Sequence, residues 1–69
     1  MQIYLYEIRT QQHLSARQLA AKSGVSKTHI INIENKGTVP TLSCLCKLAD
    51  ALNVDVKDLF SHKKGDPIY

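Results

Sequence analysis

Sixty-nine residues with a formal charge of +3, 43% of them hydrophobic, with no Trp and a single Phe, allow one domain around one small aliphatic core and leave no room for a second. No stretch approaches the roughly 20 apolar residues of a membrane span, and the N-terminus lacks a signal-peptide pattern, so the chain reads as a cytoplasmic protein with reduced thiols. Leu, Ile, Val and Ala dominate the apolar positions, which suits helices packed through aliphatic stripes and makes an all-α fold the expectation.

The first predicted helix runs from about Ile3 to Gln12, with Leu5 and Ile8 on one face, although Ile3 to Tyr6 also reads as the beginning of an extended segment. Ser15 followed three residues later by Gln18 is a capping-box pattern that opens a second helix, with Leu19, Ala20 and Ser23 turned inward. Gly24 ends that helix, because glycine enters the left-handed conformation without steric penalty. Ser26 caps a third helix with Ile30 and Ile33 inward, which stops near Lys36 and Gly37 ahead of Pro40. Thr41 caps a fourth, whose stripe is Leu42, Leu45, Leu48, Ala49 and Leu52. It breaks at Asn53 and Val54. Asp55 then caps a short fifth segment through Phe60, so the domain is expected over residues 1–62, with 63–69 a C-terminal tail.

Charge is distributed unevenly along these elements. Between Ile8 and Thr41 the chain carries Arg9, Arg17, Lys22, Lys27 and Lys36 against Glu34 alone, whereas the remainder nearly cancels. A basic concentration of this kind attracts polyanions and is the electrostatic footprint of a nucleic-acid surface.

The second and third helices hold the most specific pattern. Ala20 is small enough for two helices to approach, Gly24 four residues later permits a sharp turn, and Val25, Ile30 and Ile33 lock the following helix across the first. With Gly24-Val25-Ser26 as the connection, this is helix-turn-helix spacing. An ordinary helical hairpin accounts for the apolar positions but makes no demand for the combination of small residue, glycine and cap.

From Leu5 to Phe60 the chain resembles the Cro/C1-type, or Xre-type, helix-turn-helix regulators. The resemblance is carried in order by Leu14-Ser15, Leu19-Ala20, Gly24-Val25-Ser26, Ile30 through Ile33-Glu34-Asn35, Pro40, Leu48-Ala49-Asp50-Ala51-Leu52 and Leu59-Phe60. It implies a compact five-helix, lambda-repressor-like domain of bacterial or phage origin that binds specific double-stranded DNA. In most members it also implies homodimers on palindromic operators. The resemblance further implies that Arg9 and Glu34 form a partly buried salt bridge between the first and third helices, which takes both out of the DNA-binding set.

With Ile30 and Ile33 inward at about 100° per residue, Thr28, Asn32 and Asn35 point outward and Lys27 projects from the first turn. An outward Asn pairs bidentately with adenine, Lys donates to guanine, and Thr offers a hydroxyl and a methyl to thymine. The resemblance places base contacts at Lys27, Thr28 and Asn32, in agreement with the helical wheel. Ile31 lies on one flank, where it either meets a thymine methyl or packs on a neighbour. His29, on the other flank, reads as a surface histidine, with a phosphate contact as the alternative. Phosphate contacts are expected from Arg17 and Gln18 with the free N–H groups of the second helix, from Ser26, from Asn35, Lys36 and Thr38, and from Thr41 with Ser43 nearby. Where the family commonly carries Gln after the Ser15 position, this chain has Ala16, so that contact is expected to be weaker or left to backbone amides.

Other chemistry finds little support. His13, His29, His62, Cys44 and Cys46 have no zinc-ligand spacing, and Cys44 and Cys46, two apart on a helix, diverge by about 200°. No metal or cofactor is expected, and with no catalytic arrangement or glycine-rich phosphate loop, neither is enzymatic activity. The alternative is an antitoxin or regulatory interaction module that uses the same fold to bind a protein partner. Tyr4, Tyr6, Cys46 and Ile68-Tyr69 supply apolar material for such a partner or for a homodimer. Lys27, Thr28, Asn32 and Lys36 favour DNA.

Overall fold

Ser15, Ser26 and Thr41 each hold an extended backbone and present a hydroxyl oxygen to the backbone N–H three residues on, accepting from Gln18, His29 and Cys44 at 3.0, 3.1 and 3.1 Å. These three caps set the starts of three helices. The structure, a computed structural model, describes residues 1–67. Its elements are β1 (Gln2–Ile3), α1 (Leu5–Gln11), α2 (Ala16–Ser23), α3 (Lys27–Asn35), α4 (Leu42–Leu52), a 3-10 turn (Val56–Asp58) and β2 (Phe60–Ser61).

At Ser15 the capping box is complete, since Gln18 Oε1 also accepts from the Ser15 N–H at 2.8 Å. Gly24 terminates α2 in the left-handed conformation at φ +77°. Asn53 does the same for α4 at φ +58°. Between α1 and α2 the chain turns through His13, also left-handed at φ +59°.

Leu5, Leu19, Ile30, Leu48, Leu52 and Leu59 are almost fully buried, and Val25, Ile33, Cys44, Leu45 and Ala49 complete the core. Each large aliphatic side chain taken out of water contributes about 1.5–3 kcal/mol before the entropy of ordering the chain is counted. α2 packs on both α3 and α4, so the helix-turn-helix pair is held from behind by the fourth helix. The inward positions expected from the sequence largely hold, with Ile8, Ala20 and Ser23 half-buried at the margin of the core.

Three expectations are corrected. The fifth segment is not an α-helix: Asp58 turns its carboxylate back to accept from the Asp55 N–H at 3.2 Å, and the chain makes a single 3-10 turn before Phe60 extends. Among the described residues there are therefore four α-helices. The first helix begins at Leu5 rather than Ile3, and the extended alternative holds at Ile3, because Gln2 and Ile3 pair antiparallel with Ser61 and Phe60 in a two-residue ladder. Tyr4 fastens the same junction, donating its backbone N–H to the Leu59 carbonyl at 2.8 Å and sharing a 2.8 Å hydrogen bond between its hydroxyl and Ser61 Oγ. Finally, Leu42 has the periodicity of the α4 stripe but is 70% exposed. It is the first residue of its helix.

Candidate nucleic-acid interface

The helix-turn-helix pair is oriented by burial of one face of α3. Ile30 and Ile33 are in the core, which leaves Thr28, Asn32 and Asn35, spaced i, i+4 and i+7, on the opposite face. Lys27, Thr28 and Asn35 are exposed, and Asn32 is half-buried between them. Among the described residues, no hydrogen bond engages the side chains of Lys27, Thr28, Asn32 or Asn35, so their donors and acceptors are free to meet a base edge.

Residues expected to flank this face are open to solvent. Arg17 and Gln18 are exposed on the first turn of α2, and Lys36 and Thr38 are exposed beyond the end of α3. The backbone N–H groups of Lys36 and Thr38 both return to the Asn32 carbonyl, at 2.9 and 3.4 Å, which fixes that turn to the last part of the outward helix. Gln18 spends its carbonyl oxygen on the capping box and retains its amide N–H donors. Ser26 and Thr41 use their hydroxyl oxygens as acceptors in capping, and each keeps an O–H to donate. Ala16 is half-buried and supplies no polar atom, so the first turn of α2 offers an anion only backbone amides and the two residues that follow.

Arg9 does not belong to this surface. Its Nε and Nη2 donate to Glu34 Oε2 and Oε1, both at 2.9 Å, and Nη1 donates to the Leu14 carbonyl at 2.9 Å. The ion pair joins α1 to α3 and holds the entry to α2, while the guanidinium lies 5.2 Å from the Tyr6 ring centre. Its pKa is raised, chiefly by the hydrogen bonds to Glu34 and against the opposing effect of burial. Because Arg9 and Glu34 neutralise one another, the free charges between Ile8 and Thr41 are Arg17, Lys22, Lys27 and Lys36, all positive.

Beside the outward face lies a groove of about 260 Å³ between the start of α3 and the first half of α4, lined by Ser26, His29, Thr41, Ser43 and Lys47 among others. Summing charge by segment hides Lys47, because the cations and anions after Thr41 are equal in number. The signal that reveals it is local: Ser43 and Lys47, four apart, share one face of α4. His29 is half-buried against this groove rather than lying on open surface.

Elsewhere, Cys44 is buried and Cys46 exposed, as their divergence on one helix requires. Tyr4 and Tyr6 are 36% and 53% exposed. Ile68 and Tyr69 lie outside the described residues. No group of His, Cys, Asp and Glu among the described residues is arranged to hold a metal ion, and no described helix is long and apolar enough to cross a membrane.

Comparison with known proteins matches this arrangement. The sequence profile of a family described as helix-turn-helix matches residues 5–59. The control protein C.SmaI of Serratia marcescens is 42% identical over 55 residues, an alignment covering 80% of this chain and 66% of that protein. The chain thus spans a little under two-thirds of the length of this relative. The crystal structure of the restriction-modification controller protein C.AhdI from Aeromonas hydrophila superimposes with a TM-score of 0.77 at 34% identity, over 81% of this chain and 85% of that one.

Proposed function

The chain belongs to the helix-turn-helix family of Cro/C1-type DNA-binding transcriptional regulators, and we propose that it regulates transcription by inserting α3 into the major groove of a specific operator. Lys27, Thr28 and Asn32 read base edges, where lysine and asparagine donor patterns match guanine and adenine. Arg17, Gln18, Ser26, Asn35, Lys36, Thr38 and Thr41 hold the phosphates on either side and set the register of the helix. The observation that carries this reading is the outward face of α3, whose polar side chains are unengaged, in a segment whose uncompensated charges are all positive.

Residues 1–62 act as the DNA-binding unit and 63–69 as its tail. The protein works in the cytoplasm as a homodimer on a palindromic operator, because two copies related by a two-fold axis present two reading helices to two matching half-sites. Exposed Tyr4, Tyr6, Val39 and Leu42 supply apolar surface for such a contact. Both named relatives are control proteins, one of them of a restriction-modification system. The genes under control are accordingly those of a restriction-modification system, and the regulator acts on them as a repressor.

Selection from random duplex DNA, followed by titration of the enriched sequence and a scrambled control near physiological salt, tests the reading. An enriched palindrome bound about a thousandfold more tightly than the control supports a specific dimeric regulator. Absence of enrichment, with only weak salt-sensitive binding, removes the proposal and directs the search to a protein partner.

A further inference from the structure

We propose that Lys47, which lies outside the two-helix motif, is an additional residue of the DNA interface and, together with His29, grips a backbone phosphate seated in the groove between α3 and α4; this rests on the DNA-binding reading. The groove brings side chains of two helices to one place. From the start of α3 come Ser26 and His29, and from α4 come Thr41, Ser43 and Lys47.

Its chemistry is that of an anion seat. Lys47 supplies a full positive charge, the imidazole supplies an N–H in either ionisation state, and three hydroxyls can each donate. No carboxylate lines the groove. Two other cavities make the contrast. One, at the C-terminal end of α4, is lined by Asp50, Asp55 and Asp58, and the other includes Glu34. An anion is repelled from the first, and in the second it meets a carboxylate already paired with Arg9.

The position of the groove selects the phosphate of a duplex over a small free anion. Ser26, which lines the groove, is followed directly by Lys27 and Thr28 at the head of the reading helix. A phosphate held there is adjacent to the bases that α3 faces, so Lys47 sets how deeply the helix enters. A lysine used in this way adds affinity for every sequence and no preference among them.

Binding of the full chain to a random-sequence duplex, followed across salt concentrations, tests the assignment with Lys47→Gln, Lys47→Arg and Lys57→Gln. Lys57 lies on the 3-10 turn, is not among the residues lining the groove, and serves as the control cation. Expected for Lys47→Gln is a slope of log affinity against log salt reduced by about 0.9, with binding roughly eightfold weaker near 0.1 M salt. Lys47→Arg retains both, and Lys57→Gln changes neither. Equal melting temperatures establish that Lys47→Gln remains folded, which its exposure predicts. A Lys47→Gln titration superimposed on that of Lys57→Gln overturns the assignment while wild-type binding stands. Failure of the wild type to bind duplex at all overturns both this assignment and the DNA-binding reading.

Discussion

Arg9 and Glu34 face each other through two parallel 2.9 Å hydrogen bonds, with their side chains only 11% and 3% exposed. The geometry is bidentate, the form in which arginine binds carboxylate most strongly. Truncating either partner leaves the other charge without compensation in a largely dry setting, which costs about 3 kcal/mol. Glu34→Ala is therefore expected to lower the midpoint of thermal unfolding by roughly 10–20 °C in a domain of this size. Arg9→Met combined with Glu34→Leu should recover most of the loss, since an apolar pair needs no desolvation of charge. A Glu34→Ala midpoint within two or three degrees of wild type, measured by circular dichroism, rules out a structural role for the pair.

The two cysteines are expected to separate under alkylation. Cys46 is exposed and Cys44 is in the core, where burial raises the thiol pKa above the ordinary 9.0 and the nearby Lys47 charge only partly opposes it. Since the thiolate is the reactive form, iodoacetamide should modify Cys46 rapidly in the folded protein and Cys44 only when the domain opens. The sign of the accompanying pH effect follows from proton counts. Above pH 9 the unfolded chain has released the Cys44 proton while the folded chain retains it. Stability from this group is therefore complete below the ordinary thiol value and falls as pH rises toward the folded value. Cys44→Ala or Cys44→Val should remove that alkaline decline; mass spectrometry locating the first adduct on Cys44 contradicts the assignment.

Left-handed backbone at two turns gives substitutions of opposite sign. Gly24 has φ +77°, and an added Cβ there meets no atom within 4 Å, so Gly24→Ala carries a conformational cost alone, about 1 kcal/mol. His13 holds φ +59° with an exposed side chain. His13→Gly relieves that strain and is expected to stabilise the fold by up to about 1 kcal/mol, part of it returned through the freer unfolded chain. Urea unfolding measures both, and a destabilised His13→Gly shows that the imidazole contributes contacts outweighing the strain.

The parts of the fold that were legible in the sequence are those fixed by neighbours within four residues. Ser15 with Gln18, Ser26, Thr41 and Gly24 each act on backbone groups close at hand, so the helix-turn-helix pair and its outward face follow from local rules. The β1–β2 ladder joins residues nearly the whole chain apart, and two residues are too few to display an alternating pattern, so local pattern leaves Ile3 open between helix and extended chain. Leu42 fits the helical period but is exposed, because burial depends on tertiary neighbours that no period encodes. Lys47 and His29 come to line one groove because α2 packs on both α3 and α4, and neither carries a local mark of the other. The Arg9–Glu34 pair was available only through family resemblance, because a charge count assigned Arg9 to the basic surface.

The division of the interface into readers and clamps gives the most discriminating experiment. Asn32 lies on the outward line of α3 between Thr28 and Asn35, and Lys36 follows the helix, exposed, beyond its last turn. An asparagine that pairs with a base discriminates among bases at one position by about 1–3 kcal/mol, whereas a lysine on phosphate affects all sequences alike. Asn32→Ala is therefore expected to relax preference at one base pair of each half-site and leave affinity for scrambled duplex almost unchanged. Lys36→Ala should weaken operator and scrambled DNA in similar proportion, and reduce the salt slope by about 1. Titrating both variants against the operator, its single-base variants and a scrambled duplex separates the two roles, because only a reader changes the ratio among sequences. If Asn32→Ala and Lys36→Ala lower every affinity by the same factor, α3 grips the backbone through both residues, and sequence must be read by other side chains, with Lys27 and Thr28 next in line.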